Sequence, residues 1–245
     1  MNTRTEKLSK LRQRNCQLGV TLVELMIGLV VGLIVLSGVL YTFLLTYSSS
    51  KDVLNSTRLN VETSALLDLM TGELRRSGHW YVSVASSATS PYDSNPYLDG
   101  SEIDIAIIGT DCVLYRYDVD GDADYSETSE FLGFKREVVD GVGVIKFRKS
   151  GGSFSMSDCA ATGDDWETVS DEEFMDVTGF SITDQTTCLL GPAVSSTAVC
   201  GVTSDDYAQI RDLMISVTAE VIRDPDWKTT LNDSVRIRNN IVKDF

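Results

Sequence analysis

The longest hydrophobic run in the chain covers residues 20–45, VTLVELMIGLVVGLIVLSGVLYTFLL, and contains one charged residue, Glu24. At about 1.5 Å per residue, a helix of this length spans roughly 39 Å, which is enough to cross a bilayer. A secretory signal peptide has a shorter apolar core that ends in small residues at a cleavage site, and this run has no such end. The pattern therefore predicts a transmembrane helix that is retained.

The helical pattern continues through residues 48–78, where apolar residues recur at spacings of three and four. They form two overlapping sets: Val53, Leu54, Val61, Ala65 and Leu69, and then Leu66, Met70 and Leu74. Arg75 and Arg76 suit the negative end of a helix dipole, and Gly78 is a typical stop signal. We therefore predict one helix from residue 20 to residue 76, about 86 Å long.

The rest of the chain has the composition and alternation of β-strands. The predicted strands are 102–108, 112–119, 130–138, 143–149, 174–183, 213–222 and 234–242. The clearest alternation has one apolar face: Leu213, Ile215, Val217, Ala219 and Val221. Polar loops are predicted at 83–101, 150–165 and 184–207. These patterns predict an α+β fold, in which an antiparallel β-sheet of a single head domain packs on the C-terminal half of the long helix.

The charge distribution predicts the orientation. Of the chain's 21 Lys and Arg, five lie in residues 1–19 together with one of its 36 Asp and Glu, so the rest carries a net charge of −19. The positive-inside rule then predicts a cytoplasmic N-terminus and export of everything after Tyr47. The acidity of the exported part argues against nucleic-acid binding, because affinity for phosphate backbones comes mainly from Lys and Arg.

Cysteine usage agrees with an exported head. Cys16 lies in the basic N-terminal segment, and the other cysteines form an even set, which favours two disulfides in an oxidising compartment. A zinc site is the alternative, but no pair has C-x-x-C spacing and the single histidine, His79, is distant from the cysteines in sequence. We prefer the pairing that closes a short loop, Cys188–Cys200, and with it Cys112–Cys159.

The junction between the basic segment and the apolar run resembles the processing site of type IV prepilins. The matching features are the basic leader, Gly19, Thr21, Glu24 fifth after the cut, and the uninterrupted apolar helix. The resemblance implies cleavage between Gly19 and Val20 by prepilin peptidase, with methylation of the new Val20 amine. Three features differ from the usual pattern, since Val20 replaces phenylalanine, the leader is long, and the apolar helix lacks proline. The missing proline predicts a helix without a kink.

Further motifs, in their order along the chain, resemble the PilW family of minor pilins. They are ELRRSGH at 73–79, CVLYRYDVDGDADYSE at 112–127, Trp166 ahead of FMDVTGFSI, and SVRIRNN at 234–240. The resemblance implies a pilin-like organisation in four parts: a leader at 1–19 that is removed, a transmembrane and filament-core helix at 20–47, its amphipathic continuation at 48–78, and an extracytoplasmic β-rich head at 79–245.

The resemblance implies a structural function. The subunit would be held in the inner membrane with its head in the periplasm, and would then enter an extracellular pilus to initiate, prime or cap its assembly. The implied partners are other minor and major pilins, the prepilin peptidase, which also methylates, and a tip adhesin; the associated functions are cell adhesion and twitching motility. Two alternatives stay open, namely a J-like minor pseudopilin of type II secretion and a membrane-anchored extracellular binding module.

Glu24 needs an explanation, because an ionised carboxylate within a membrane helix costs on the order of 3 kcal/mol. Cleavage would create a cationic amine at Val20, one helical turn before Glu24. The resemblance implies that Glu24 pairs with the Val20 amine of a neighbouring subunit during assembly, since an unpaired buried charge is costly. The alternative is an interfacial glutamate that favours the first helical turn.

Gly28 and Gly32 form a G-x-x-x-G spacing in the same helix. Small residues at this spacing let membrane helices approach closely, although two glycines in an apolar segment also occur by chance. We predict a helix-packing surface at these two glycines.

The tract DVDGDADYSE at 118–127 is a candidate calcium site. Oxygen donors, which Ca²⁺ prefers, recur within it: Asp118, Asp120, Asp122, Asp124 and Glu127. The tract is not a regular EF-hand loop, since its sixth residue is Ala123 rather than glycine and its twelfth is Ser129 rather than glutamate. The alternative is a solvated acidic loop between two strands. No cofactor is otherwise expected.

Catalysis has little support in the sequence. His79 follows the predicted helix end beside Trp80 and Tyr81, where a packing or capping role is expected, and no Ser or Cys nucleophile arrangement accompanies it. There is also no GxxxxGK[ST] phosphate loop, so any filament ATPase is expected to be another protein. We predict that the chain is not an enzyme.

Overall fold

The computed structural model describes residues 19–81, 95, 104–122, 127–151, 156–160, 165–190, 207–239 and 241–243. The chain divides into two compact units, Met1–Asp52 and Val53–Phe245. One 53-residue helix, α1 (Leu22–Leu74), contributes to both units. Antiparallel β-sheets follow this helix, which confirms the predicted α+β class.

The first half of α1 is a continuous apolar helix whose residues are exposed in the isolated chain. Three hydroxyl groups in this half donate to carbonyls of the helix itself: Ser37 to Leu33 (2.7 Å), Thr42 to Val39 (2.9 Å) and Thr46 to Thr42 (2.9 Å). These bonds satisfy hydroxyl donors that would have no hydrogen-bond partner in lipid. Among the described residues, α1 is the one helix that is long and apolar enough to cross a membrane.

The second half of α1 buries one face against the head. The buried residues are Leu59, Thr63, Leu66, Leu67, Met70, Thr71 and Leu74. The predicted set Leu66, Met70 and Leu74 is therefore confirmed. The other predicted set is wrong as a core face, since Leu54 is 69% and Val61 is 62% exposed. At 3.6 residues per turn, Leu54 and Val61 lie on the side of the helix opposite the buried face, so the head cannot cover both sets.

The helix ends at Leu74, slightly earlier than predicted, and the chain then turns at Gly78. Gly78 has a φ of 73°, the left-handed conformation that favours glycine at a helix end. Its N–H donates to the carbonyl of Arg116 (2.9 Å), which joins the helix end to the sheet. Beside this turn, the Tyr117 hydroxyl donates to the Glu73 carboxylate (2.9 Å), and burial raises the pKa of Tyr117.

The head contains three antiparallel sheets in the described residues. In chain order the strands are β1 (Ile105–Ile108), β2 (Cys112–Arg116), β3 (Phe131–Val139), β4 (Val142–Arg148), β5 (Trp166–Thr168), β6 (Met175–Asp184), β7 (Thr187–Leu190), β8 (Tyr207–Ile210), β9 (Asp212–Val221), β10 (Asp224–Arg236) and β11 (Ile241–Lys243). The sheet orders are β1-β2-β3-β4-β5, β10-β9-β6 and β11-β8-β7. A 3₁₀ turn, Thr128–Glu130, precedes β3, and a short helix, α2 (Met156–Ala160), precedes β5.

Each predicted strand region contains a strand, but β5, β7, β8 and most of β10 were not predicted. The polar loop predicted at 184–207 is wrong in part, since β7 lies within it, and α2 lies within the loop predicted at 150–165. β5, β7 and β8 have three or four residues, too few for an alternating pattern. β10 has a polar sequence because nearly all of its residues are exposed or only half-buried. It is also an edge strand, where Pro225 and a register shift between Asp224 and Lys228 are tolerated.

One hydrophobic cluster joins the second half of α1 to the first two sheets. Its fully buried members include Met70 and Leu74 of α1, Tyr115 and Phe134 of the first sheet, and Ile215 and Val217 of the second. The alternation predicted for β9 is confirmed, because Leu213, Ile215, Val217, Ala219 and Val221 are all buried. The predicted packing of a sheet on the C-terminal half of the helix is confirmed as well.

A buried ion pair connects the helix end to the second sheet. Arg211, directly before β9, donates to the Asp104 carboxylate, and both residues are 4% exposed. Ser77 donates to the same carboxylate (3.2 Å). Arg211 also donates to the carbonyl of Asn239, whose side-chain amide donates to the carbonyl of Ser77 (2.9 Å). These bonds hold together the end of α1, the start of β1 and the segment after β10.

Candidate functional site

The predicted cleavage site lies directly before α1. Gly19 and Val20 are exposed and non-helical, with Val20 69% exposed. Apart from the chain neighbours, no described atom lies within 4 Å of a Cβ built on Gly19. No described part of the chain therefore covers the peptide bond between these residues. Cleavage of this bond and methylation of Val20 stay predictions.

Thr21 caps the start of the helix. Its Oγ1 accepts a hydrogen bond from the Glu24 N–H (3.2 Å), and its carbonyl accepts one from the Leu25 N–H (3.1 Å). Helix α1 consequently begins at Leu22, so Val20 precedes the first turn. The sequence predicts that Val20 lies one helical turn from Glu24, and the structure differs in this respect because the helix starts two residues after Val20. Glu24 lies in the first turn of α1, where its negative charge is favoured by the helix dipole. Pairing of Glu24 with a neighbouring subunit stays a prediction.

Gly28 and Gly32 are exposed on α1. Apart from the chain neighbours and the backbone of the helix itself, no described atom lies within 4 Å of a Cβ built on either glycine. The helix surface at this point is therefore open to close approach by another helix, which is what the G-x-x-x-G prediction requires.

The acidic loop follows β2 and is shaped by its own carboxylates. Asp118, which is 4% exposed, accepts hydrogen bonds from the N–H groups of Tyr81 (3.0 Å) and Gly121 (2.7 Å). Asp120 accepts one from the Asp122 N–H (3.2 Å). Gly121 has a φ of 81°, so the turn depends on this glycine. These bonds curl the loop and bring its acidic side chains together.

Two sets of carboxylate oxygens in this region lie within 4.8 Å of one another: Asp118, Asp120 and Glu130, and Asp120, Asp122 and Glu127. Sequence reasoning missed Glu130, which is 1% exposed, because it lies in the 3₁₀ turn before β3 and only the fold brings it to the loop. Asp124 lies outside the described residues. The geometry brings four of the five predicted ligands together, and calcium binding itself stays a prediction.

We predict that the full chain binds Ca²⁺ through this loop and that Asp120→Asn weakens binding at least about tenfold, the loss of one charged ligand. Asp120 belongs to both carboxylate sets and is exposed, so its replacement leaves the core intact. Titration calorimetry of the detergent-solubilised chain measures the affinity, and Asp226→Asn, at an exposed position in β10, is the control. If the unmodified chain gives no calcium-dependent heat, the tract is a solvated loop.

The disulfide prediction is confirmed for one pair. Cys112, at the start of β2, is bonded to Cys159 in α2, with Cα atoms 6.2 Å apart. Lys135 donates to the Cys159 carbonyl (3.1 Å), which holds α2 against the first sheet. Cys188 is also disulfide-bonded, but Cys200 lies outside the described residues, so Cys188–Cys200 stays a prediction.

His79 is exposed and joins the helix end to the acidic loop through its backbone. Its N–H donates to the carbonyl of Arg76 (2.9 Å), and its carbonyl accepts a hydrogen bond from the Asp118 N–H (2.9 Å). These bonds agree with the capping role expected from the sequence.

Two family models match the chain, one over its N-terminal segment and one over most of the rest. The family model for prepilin peptidase-dependent protein B matches residues 52–237, and the model for the prokaryotic N-terminal methylation motif matches residues 14–40. No curated protein and no solved structure matches the chain. The matched families are pilin-like structural proteins rather than enzymes. The resemblance to type IV prepilins is therefore confirmed, and the methylation motif includes Gly19, Val20 and Glu24.

Proposed function

Because the chain belongs to the prepilin peptidase-dependent protein B family, we propose that it is a minor pilin that is incorporated into a type IV pilus. The methylation motif at residues 14–40, which contains Gly19 and continues into α1, is the observation that carries this proposal. In this role the chain is a PilW-like subunit that initiates, primes or caps the filament, and thereby contributes to adhesion and twitching motility.

The motif and the apolar first half of α1 indicate membrane anchoring. We propose that the basic residues before Gly19 hold the N-terminus in the cytoplasm, so that the head is periplasmic before assembly and extracellular afterwards. The Cys112–Cys159 disulfide supports an oxidising compartment for the head. Prepilin peptidase, acting at the cytoplasmic face, is then the first partner of the chain.

Assembly transfers the exposed apolar half of α1 from lipid to the helices of other subunits. This half has no internal partner among the described residues, so in water it would be a large apolar surface. In our proposal other minor and major pilins supply the contacting helices, Gly28 and Gly32 allow close approach, and the Glu24 carboxylate pairs with the methylated amine of a neighbour's first mature residue. A tip adhesin is a further proposed partner.

Replacing Glu24 by Ala should leave cleavage after Gly19 intact and lower incorporation into filaments about tenfold or more. The physical reason is that the neighbour's amine would be buried without its counter-ion, which costs several kcal/mol. The measurement is the amount of the chain in sheared pili, compared with the amount in the membrane, by quantitative immunoblotting.

The matched control for this experiment is Asp68→Ala, which removes one exposed carboxylate from the second half of the same helix. We expect its incorporation to equal that of the unmodified chain. Normal incorporation of Glu24→Ala would show that Glu24 merely favours the first helical turn.

A type II secretion pseudopilin carries the same kind of processing site, so the identity of the filament discriminates the two functions. Presence of the chain in sheared type IV pili supports the minor pilin, whereas its restriction to a secretion pseudopilus supports the alternative. An anchored binding module would instead keep its leader, because no filament would require a free Val20 amine.

A further inference from the structure

The head has an open groove of about 760 Å³ in which arginines predominate. Arg75 comes from the turn after α1, Arg236 from the end of β10, and Arg238 from the segment beyond it. Asp212 and Gln185 also line the groove. We call Arg75, Arg236 and Arg238 together the arginine groove. The motif SVRIRNN, whose role the processing site does not explain, supplies two of the three arginines.

The groove carries an excess of positive charge. Arg236 is paired with Asp212 through two hydrogen bonds of 3.0 and 2.9 Å, which lower the pKa of Asp212. Within the described segments, the guanidinium groups of Arg75 and Arg238 form no ion pair. The chain as a whole has a net charge of −15, so the positive charge of the groove is opposite in sign to that of the whole chain.

The backbone holds these arginines in fixed positions. Val235 and Ile237 are 0% exposed and alternate with Arg236 and Arg238, so the extended chain directs both arginine side chains outward. The Arg238 N–H donates to the carbonyl of Arg75 (3.4 Å). The Ile237 N–H donates to the carbonyl of Arg211 (2.9 Å), which belongs to the buried ion pair. The backbone of the groove therefore needs no rearrangement to bind a ligand, and the entropy lost on binding is mainly that of the arginine side chains.

A favourable interaction with the helix dipole explains the position of only one of the three arginines. Arg75 follows the last turn of α1, where a cation is stabilised by the negative helix end. Arg238 is not part of a helix, and its side chain needs a different reason to lie in the groove. Guanidinium groups form planar, bidentate hydrogen bonds with carboxylates and with phosphates, so a fitting ligand carries one of these two anionic groups.

We propose that the arginine groove binds a carboxylate-rich segment of a neighbouring pilin-type subunit; this inference rests on the proposed function. A protein segment is favoured over a phosphate polymer, because the acidic remainder of the head repels an extended polyanion whereas a short acidic segment contacts only the groove. The exposed Asp120 and Asp122 of this chain are an example of such a segment on a pilin-type head. The groove therefore selects, as the neighbour of this subunit, a subunit that carries an acidic segment.

The test places a photoreactive amino acid at Gln185, an exposed uncharged residue of the groove, in the full chain in piliated cells. We expect a cross-link to a peptide of another pilin-type subunit that contains clustered Asp and Glu, identified by mass spectrometry. Arg238→Glu should lower the cross-link yield about tenfold or more, since a charge-assisted bond is replaced by repulsion. Arg238→Gln, which keeps a polar exposed side chain, should lower it as well.

The control is Lys228→Glu, the same change of charge on β10 but outside the groove, which should keep the cross-link yield. A yield that Arg238→Glu and Arg238→Gln leave unchanged overturns the inference, as does cross-linking only to lipid, to a peptide without carboxylates, or to nothing. A cross-link to an acidic peptide in cells whose sheared pili lack the chain contradicts pilus incorporation but supports the groove as a subunit-binding site.

Discussion

Replacing Gly19 by Val should abolish N-terminal processing, so that the chain isolated from cells begins at Met1 instead of at methylated Val20. A prepilin peptidase has to fit the backbone on both sides of the cut, and a β-branched residue crowds that backbone. The substitution should not disturb the described part of the chain, because no atom there, apart from the chain neighbours, lies within 4 Å of a Cβ at this position. Mass spectrometry of the intact protein, expressed with the peptidase, measures the outcome.

The control for this experiment is Gly38→Val, at another exposed glycine, whose added Cβ would meet no described atom within 4 Å apart from the chain neighbours and the backbone of its own helix. It should be processed normally, because it lies in the middle of the apolar helix and far from the cut. An unprocessed N-terminus in the unmodified chain, or cleavage beyond residue 45, would contradict the assignment of Gly19 as the processing site.

The second large effect is expected at Arg211, whose replacement by Ala should lower the free energy of unfolding of the head by about 3–5 kcal/mol. This change leaves the Asp104 carboxylate buried without its cation and removes the donor that holds the Asn239 carbonyl. Urea denaturation of the full chain in detergent, followed by the fluorescence of its tryptophans, measures the loss.

Lys149→Ala is the matched control, because Lys149 and Glu167 form an ion pair whose side chains are 52% and 56% exposed. An exposed pair contributes only about 0–1 kcal/mol, so this variant should unfold almost as the unmodified chain does. Replacing both buried partners, with Arg211→Met and Asp104→Leu, should recover much of the loss, since no charge is then left unpaired. A loss below about 1 kcal/mol for Arg211→Ala would show that water reaches the cluster.

The prepilin-type motif was recognisable from the sequence because its features are adjacent in sequence. Gly19, Thr21 and Glu24 precede an apolar run, and neither packing nor topology is needed to recognise them. The structure adds that Thr21 caps the helix and that Val20 lies before its first turn. The acidic loop was partly predictable for the same reason, but Glu130 reaches it only through the fold of the chain into β3.

The strands were predictable where they are buried and long. β9 alternates over ten residues because one of its faces packs on the core, whereas β10 is polar because nearly all of its residues are exposed or only half-buried. Hydrophobic periodicity reports burial rather than hydrogen bonding, so an exposed edge strand leaves little signal in a sequence.

The order of residues along the chain was enough to predict a cleavable leader and a membrane helix, and to predict correctly the α+β class of the fold. Tertiary structure alone decided which face of α1 lies in the core, since Leu54 and Leu66 are equally apolar and only contact with the sheets distinguishes them. It also decided that Arg211 is buried against Asp104 while Arg75 and Arg238 line a groove. The physical reason is that burial and charge pairing depend on residues far apart in sequence, whereas helix formation and peptidase recognition depend on neighbours.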